Sequence, residues 1–155
     1  AYARGLAAEV GDGSAVVTLP GIADLVRRLD GAPEALVGLL TGNIEVGARI
    51  KLEPTGLRPY FRLGAYGSDH LDRRQLPSLA ARRAQALTGH SFRPEKVLVI
   101  GDTPHDIECA RHFGAVAVAV ATGLYRLEEL EAERPDLLFA DFSDVESAIG
   151  KLLSR

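Results

Sequence analysis

The stretch Lys96-Val97-Leu98-Val99-Ile100-Gly101-Asp102-Thr103-Pro104-His105-Asp106 decides the fold. Its first half is apolar and β-branched, bounded by Pro94 and Gly101, which is the composition of a strand covered on both faces. Its second half opens a helix, because proline is favoured at the first helical position and Thr103 stands where an N-cap belongs. That helix is predicted to reach about Phe113, with Gly114 ending it. Asp102 therefore falls at the carboxyl end of a strand, and Asp106 lies one helical turn further on.

The same alternation extends in both directions. Toward the C-terminus, residues 115–121 read as a buried strand, 127–133 as a short acidic helix, 137–140 as a last strand and 143–153 as a closing helix. Toward the N-terminus, the apolar run 35–40 ends at Thr41-Gly42-Asn43 and reads as a strand buried on both faces. Residues 44–52 follow as a helix stopped by Pro54 and Gly56, then 60–65 as a weaker strand. Residues 75–87 form a strong helix, since Leu76, Leu79, Ala80, Arg83, Ala84 and Leu87 recur with a 3.6-residue period; Arg82 and Arg83 are expected in its solvated flank. Strands alternating with helices predict an α/β chain, a Rossmann-like three-layer αβα sandwich with a mostly parallel sheet. Ligands of such sheets bind at the carboxyl ends of the strands.

Composition narrows the function classes. In 155 residues, 46% are hydrophobic and 25% charged, close to the globular average and unlike disordered, collagenous or coiled-coil chains. With 18 basic and 21 acidic residues the formal net charge is −3, so nothing favours nucleic acid or an anionic membrane surface. The single Cys109 allows no intrachain disulfide and fits a reducing, cytoplasmic setting. The apolar run 115–121 is far below the ~20 residues that cross a bilayer, and no basic segment followed by an apolar one opens the sequence. Oligomeric state is not legible.

Two strand ends carry chemistry. At the first, Thr41 with the backbone N–H groups of Gly42 and Asn43 can hold phosphate oxygens, because a helix start offers unsatisfied donors and a favourable dipole. The competing interpretation is a tight turn with Asn43 capping the following helix. At the second, Asp102 and Asp106 stand four residues apart on one side of a helix start, a pair suited to Mg²⁺, which demands octahedral oxygen coordination. The competing interpretation is a capping box with Thr103 as N-cap, Pro104 at N1 and Asp106 at N3.

Together, Leu40-Thr41-Gly42-Asn43 and Gly101-Asp102-Thr103-Pro104-His105-Asp106, in this order and on these elements, resemble the second and fourth motifs of the haloacid dehalogenase (HAD)-like hydrolase superfamily. The resemblance begins near Leu19-Pro20-Gly21 and runs to the C-terminus; Ala121-Thr122-Gly123 looks most like the phosphoglycolate-phosphatase-like branch. It implies that Thr41, Gly42 and Asn43 bind the transferring phosphoryl group. It also implies that Asp102 ligates Mg²⁺, with Asp106 holding the metal directly or through water. The family's third motif is a Lys or Arg at the start of the preceding helix, and here Arg73 is favoured, with Arg74 the alternative. A cation there is physically sensible, because phosphoryl transfer is mostly positioning and stabilisation of oxygen charge.

The family's first motif, an Asp-x-Asp that supplies the nucleophile, occurs nowhere in the sequence. Gly11-Asp12-Gly13-Ser14 has a single Asp and no apolar strand before it. Covalent catalysis needs that carboxylate in line with phosphorus, and a metal pair does not replace it. In the family the strand bearing it lies between those carrying Thr41 and Asp102, so its absence leaves two apolar strand edges unpaired. Residues 1–18 are accordingly expected to be a remnant of a cap or linker, and residues 19–155 a HAD-like core lacking its first strand, the C-terminal part of a longer phosphatase.

The resulting expectation is a Mg²⁺-dependent phosphomonoesterase acting on a small phosphorylated metabolite through an aspartyl-phosphate, with the nucleophile outside these residues. The alternatives are a catalytically incomplete phosphate- and Mg²⁺-binding module, or a phosphomutase or 2-haloacid dehalogenase of the same superfamily. His105 is expected to face solvent, and His70, His90 and His112 show no metal spacing with each other or with Cys109. No Gly-x-Gly-x-x-Gly follows a strand, which leaves a dinucleotide site without support.

Overall fold

Valine and alanine alternate along Val116–Val120, and that alternation organises the molecule. In the computed structural model, which describes residues 16–155, Val118 and Val120 point to one side and pack with Leu25, Phe142 and Leu152. Ala117 and Ala119 point to the other and pack with Ile107, Ala110 and Leu130. Small side chains on that second face let a helix approach closely, while valines fill the first. Phe142 and Leu130 are fully buried, each contributing roughly 1.5–3 kcal/mol of hydrophobic free energy.

The elements are, in chain order, α1 (Ile22–Gly31), β1 (Gly38–Thr41), α2 (Glu45–Leu52), β2 (Leu63–Tyr66), α3 (Leu76–Thr88), β3 (Leu98–Gly101), α4 (Pro104–Phe113), β4 (Val116–Val120), α5 (Leu127–Ala132), β5 (Leu137–Phe139) and α6 (Val145–Leu153). Helices α1 and α6 cover one face of the β3-β4-β5 sheet; α4 and α5 cover the other. Every ladder is parallel, in agreement with the α/β reading.

The sheet, however, is divided. β1 pairs with β2 from Gly38↔Leu63 to Thr41↔Tyr66, while β3, β4 and β5 form a separate sheet. Leu40 nevertheless packs on the cluster around Val99 and Ile107, so the two sheets lie side by side. The Val97 carbonyl accepts from Val116 N–H at 2.9 Å, which turns Val97, Val99 and Gly101 toward β4 and Leu98 and Ile100 away from it. Among the described residues no strand pairs with that second edge, and Ile100 is 41% exposed.

Other departures from expectation have local causes. The strand predicted over 35–40 starts only at Gly38, is half-exposed rather than covered on both faces, and pairs along one edge only among the described residues. The strand predicted over 60–65 lies at Leu63–Tyr66; the prolines at 54 and 59 direct Glu53–Thr55 and Arg58–Tyr60 into 3₁₀ turns. Helix α1 was not expected, although Ile22, Leu25, Val26 and Leu29 recur with helical spacing. It begins after Gly21, whose φ of 79° and contact with the Phe142 carbonyl leave no room for a side chain. Arg83 is not in a solvated flank: its Nη1 donates to the Gly64 carbonyl at 2.5 Å and to Asp69 Oδ2 at 2.7 Å, tying α3 to β2. The cap remnant proposed for residues 1–18 falls mostly outside the described residues, as does Asp12, and residues 16–19 carry no regular structure.

Candidate active site

The carboxyl ends of β1, β3 and β4 converge with the 3₁₀ turn that precedes α3. At the end of β1, the Thr41 hydroxyl oxygen accepts from the Asn43 N–H at 3.1 Å and from Asn43 Nδ2 at 3.2 Å. Its proton remains available as a donor. The Asn43 N–H, counted as a phosphate ligand from the sequence, is thus engaged inside the turn, whereas no such bond engages the Gly42 N–H among the described residues. Asn43 does not cap α2; Ile44 does, in an extended conformation without a side-chain cap. The turn is stitched to the next strand end by Gly67 N–H donating to the Asn43 carbonyl at 2.9 Å.

Arg73 and Arg74 open the 3₁₀ turn Arg73–Gln75, whose N-cap is Asp72. Arg73 reaches into the crevice: Nη2 lies 3.3 Å from Asp106 Oδ1, and Nε lies 3.1 Å from where a Cβ on Gly42 would stand. That Nε is buried and has no partner. Arg74 turns outward, its Nη2 2.9 Å from Asp72 Oδ2 and its Nη1 3.7 Å from Glu108 Oε1. The Arg74 guanidinium holds the Asp72 carboxyl at about 2, well below the usual carboxylate range. Of the two cations weighed from the sequence, Arg73 is the one that meets Asp106.

Asp106 serves the helix as well as the crevice. Its Oδ2 accepts from Thr103 N–H at 3.1 Å and from Thr103 Oγ1 at 2.7 Å, while the Asp106 N–H donates back to Thr103 Oγ1 at 3.3 Å, completing a capping box. The two interpretations of this motif are therefore compatible. Asp102 is half-buried, rests against Gly123 and accepts no hydrogen bond among the described residues.

The donor chemistry fits Mg²⁺. Asp102 and Asp106 both stand at the carboxyl end of β3, a two-carboxylate set, since among the described residues no group of three or more His, Cys, Asp or Glu is arranged to hold a metal. Mg²⁺ takes one or two carboxylates and completes its shell with water and phosphate oxygens. Asp102, with both oxygens unengaged, would ligate directly; Asp106, already bonded to Thr103 and Arg73, would act through water. Arg73, Asp102 and Asp106 sum to a formal charge of −1, since 1 − 2 = −1. A divalent cation reverses that sign and makes the crevice attractive to a phosphate.

The remaining titratable candidates stand aside. His105 Nδ1 meets Glu108 Oε2 at 2.9 Å on the exposed face of α4, and His112 Nε2 lies 3.1 Å from Gln75 Nε2. Cys109 is buried, which pushes its thiol up and makes it a packing residue. One cleft beneath α2 is lined by Arg49, Arg58 and Tyr66, but Arg49 and Arg58 are paired with Glu45 and Glu53. Sequence reasoning gave no role at the site to Gly101 or Gly123; the only available signal was a glycine directly at or after a strand end.

A parallel α/β fold that presents a threonine, an arginine and an acid pair at neighbouring strand ends defines the class. The family described as HAD-hydrolase-like matches residues 77–145. The chain is thus similar to HAD-like hydrolases, and in particular to phosphoglycolate phosphatases among them. It is 34% identical to a phosphoglycolate phosphatase of Synechococcus elongatus, over 91% of this chain and 63% of that protein. With the phosphoglycolate phosphatase of Salmonella typhimurium the identity is 27%, over 86% of this chain and 52% of the relative. The chain thus spans roughly half to two thirds of the length of these relatives. A β-phosphoglucomutase structure from Clostridium difficile superposes with a TM-score of 0.71 at 19% identity, covering 99% of this chain and 62% of that one, which shows the shared fold.

Proposed function

We propose that these residues carry the phosphate- and metal-binding part of a Mg²⁺-dependent phosphomonoesterase acting on a small phosphorylated metabolite in a cytoplasmic setting. The observation that carries this is Arg73: its buried, unpartnered Nε and its Nη2 on Asp106 aim a cation between the Thr41-Gly42 turn and the acid pair. An orphaned buried donor calls for an acceptor, and a phosphate oxygen supplies one. Thr41 and the Gly42 N–H would donate to the phosphoryl oxygens from one side, and Arg73 from another. Asp102 would hold Mg²⁺ directly and Asp106 through water. The bound ion would withdraw charge from the phosphoryl oxygens and lower the barrier to attack by an anion.

The nucleophile is not among these residues, since the sequence has no Asp-x-Asp. We place it on a strand that would lie between β1 and β3, where Leu98 and Ile100 turn to an edge with no strand paired on it among the described residues. Residues 19–155 are then the core without that strand. The same gap favours a second reading, a phosphate- and Mg²⁺-binding module without turnover. A 2-haloacid dehalogenase has no use for the Asp102–Asp106 pair as metal ligands, whereas a phosphomutase shares the whole arrangement.

Inorganic phosphate titrated against the chain with and without Mg²⁺, and again with Asp102→Asn, tests the binding half. Binding is expected only with Mg²⁺ and is expected to vanish in the variant; binding indifferent to both overturns the assignment. Hydrolysis of p-nitrophenyl phosphate once an Asp-x-Asp strand is supplied separates the phosphatase from the binding module.

A further inference from the structure

We propose that Gly123 and Gly101 are positioning residues for the acid pair: each leaves vacant the place of a Cβ, and one carboxylate packs into each vacancy. The proposal rests on the metal-binding reading above. Gly123 follows β4 and faces Asp102 at the end of the adjacent strand, since β3 and β4 run in register from Leu98↔Val116 to Gly101↔Ala119. A Cβ on Gly123 would overlap Asp102 Oδ2 and would stand 2.8 Å from Asp102 Cγ, inside any real contact distance. A Cβ on Gly101 would overlap the Asp106 carboxylate in the same way. Neither glycine has a φ in the left-handed region, so the backbone itself would accept alanine at both places. What excludes alanine is space, and the occupant of that space is in each case a carboxylate.

The chemistry of the pair explains why shape does this work. A carboxylate fixed by hydrogen bonds has lone pairs committed to its donors. Asp106 is fixed that way, through Thr103 and Arg73. Asp102 accepts no hydrogen bond among the described residues, so wedging it against Gly123 holds its position while leaving its oxygens to a cation. Gly42 repeats the device for the third charged group, with Arg73 Nε, Cδ and Cζ lying 3.1 to 3.3 Å from the place of its missing Cβ. Glycines at three strand ends thereby seat the three charges of the crevice.

The test is direct Mn²⁺ binding by electron paramagnetic resonance, with Mg²⁺ as competitor, on the wild-type chain, Gly123→Ala, Gly101→Ala and Asp102→Asn. Gly123→Ala is expected to weaken Mn²⁺ binding by about tenfold or more, as loss of support around a metal ligand does. Its thermal midpoint is expected to fall by no more than about 4 °C, since the atom that must give way is the far end of the half-buried Asp102 side chain, which can turn aside. Gly101→Ala is expected to weaken binding less, because Asp106 acts through water. If Asp102→Asn loses Mn²⁺ while Gly123→Ala binds like wild type, the positioning role is overturned and the metal reading stands. If wild type and Asp102→Asn behave alike, the metal reading itself falls. Should Gly123→Ala fail to fold, the double variant Asp102→Ala/Gly123→Ala decides: recovery of the wild-type midpoint supports the proposal, and no recovery overturns it.

Discussion

Arg73 and Asp106 stand 33 residues apart in sequence, yet Arg73 Nη2 lies 3.3 Å from Asp106 Oδ1. The contact joins the turn before α3, which lies over the end of β1, to the first turn of α4 behind β3. It bridges the two sheets at the point where their strand ends open into the crevice. Asp106 is 14% exposed and Arg73 36%, so the pair is only partly desolvated and is a modest source of stability. Its importance lies in direction: it aims a guanidinium whose Nε is buried and still lacks an acceptor.

Arg73→Ala is expected to lower Mg²⁺-dependent phosphate affinity by about tenfold to a hundredfold, the usual effect of losing a charge-assisted contact to an oxyanion. Arg73→Lys is expected to recover part of it, because an ammonium restores the charge without the planar fork. Arg74→Ala, with its guanidinium on Asp72 and Glu108, is expected to stay within about twofold of wild type by the same criterion. Isothermal titration with inorganic phosphate measures all three, and equal losses at the two arginines would refute the assignment of Arg73.

Thr103→Ala removes the hydroxyl that both caps α4 and anchors Asp106 Oδ2. A loss of about 1 kcal/mol in urea unfolding is expected, together with weaker metal binding as Asp106 loosens. Thr103→Ser keeps the oxygen and is expected to restore both. Restoration of stability without restoration of metal affinity would separate the cap from the site.

The two strand-end motifs were legible because each is local: an apolar run, a turn and a helix start within about ten residues of sequence. Thr103 as N-cap and Gly114 as helix stop follow from the same short-range chemistry, and both stand where expected. What escaped was decided by long-range contact. The sequence favours Arg73 but leaves Arg74 as the alternative, and packing against Gly42 and Asp106 separates them. Arg83 fitted a solvated position by periodicity, yet the Gly64 carbonyl and Asp69 draw it onto β2. The division of the sheet was foreshadowed only by the missing Asp-x-Asp, because which strands pair is not written in the composition of either strand.

Acid should weaken the α3–β2 contact in a defined direction. The Arg83 guanidinium holds the Asp69 carboxyl below its ordinary value of 3.8. A carboxylate depressed in the fold contributes stability above its unfolded value, and that contribution is lost as pH falls through the folded one. Asp72, held at about 2 by Arg74, acts with the same sign. The wild-type urea midpoint is therefore expected to decline between about pH 4 and pH 2. Arg83→Ala is expected to be less stable by about 1 kcal/mol at neutral pH and to show a shallower acid decline. An acid slope unchanged by the substitution would remove Asp69 from the explanation.

Hydrogen exchange reads the open edge of β3 directly. Alternate residues of a strand direct their amides to opposite sides, and the bond from Val116 N–H to the Val97 carbonyl fixes which side is which. Val99 and Gly101 face β4; Leu98 and Ile100 face the gap toward β1. The amides of Leu98 and Ile100 are expected to exchange about a hundredfold faster than those of Val99 and Val118, although all four lie in strands. Supplying an apolar strand that ends in Asp-x-Asp is expected to slow Leu98 and Ile100 selectively and to leave Val99 as it was. Uniform protection along β3 in the chain alone would mean that its outer edge is already paired, and the place assigned to the nucleophile strand would then be taken.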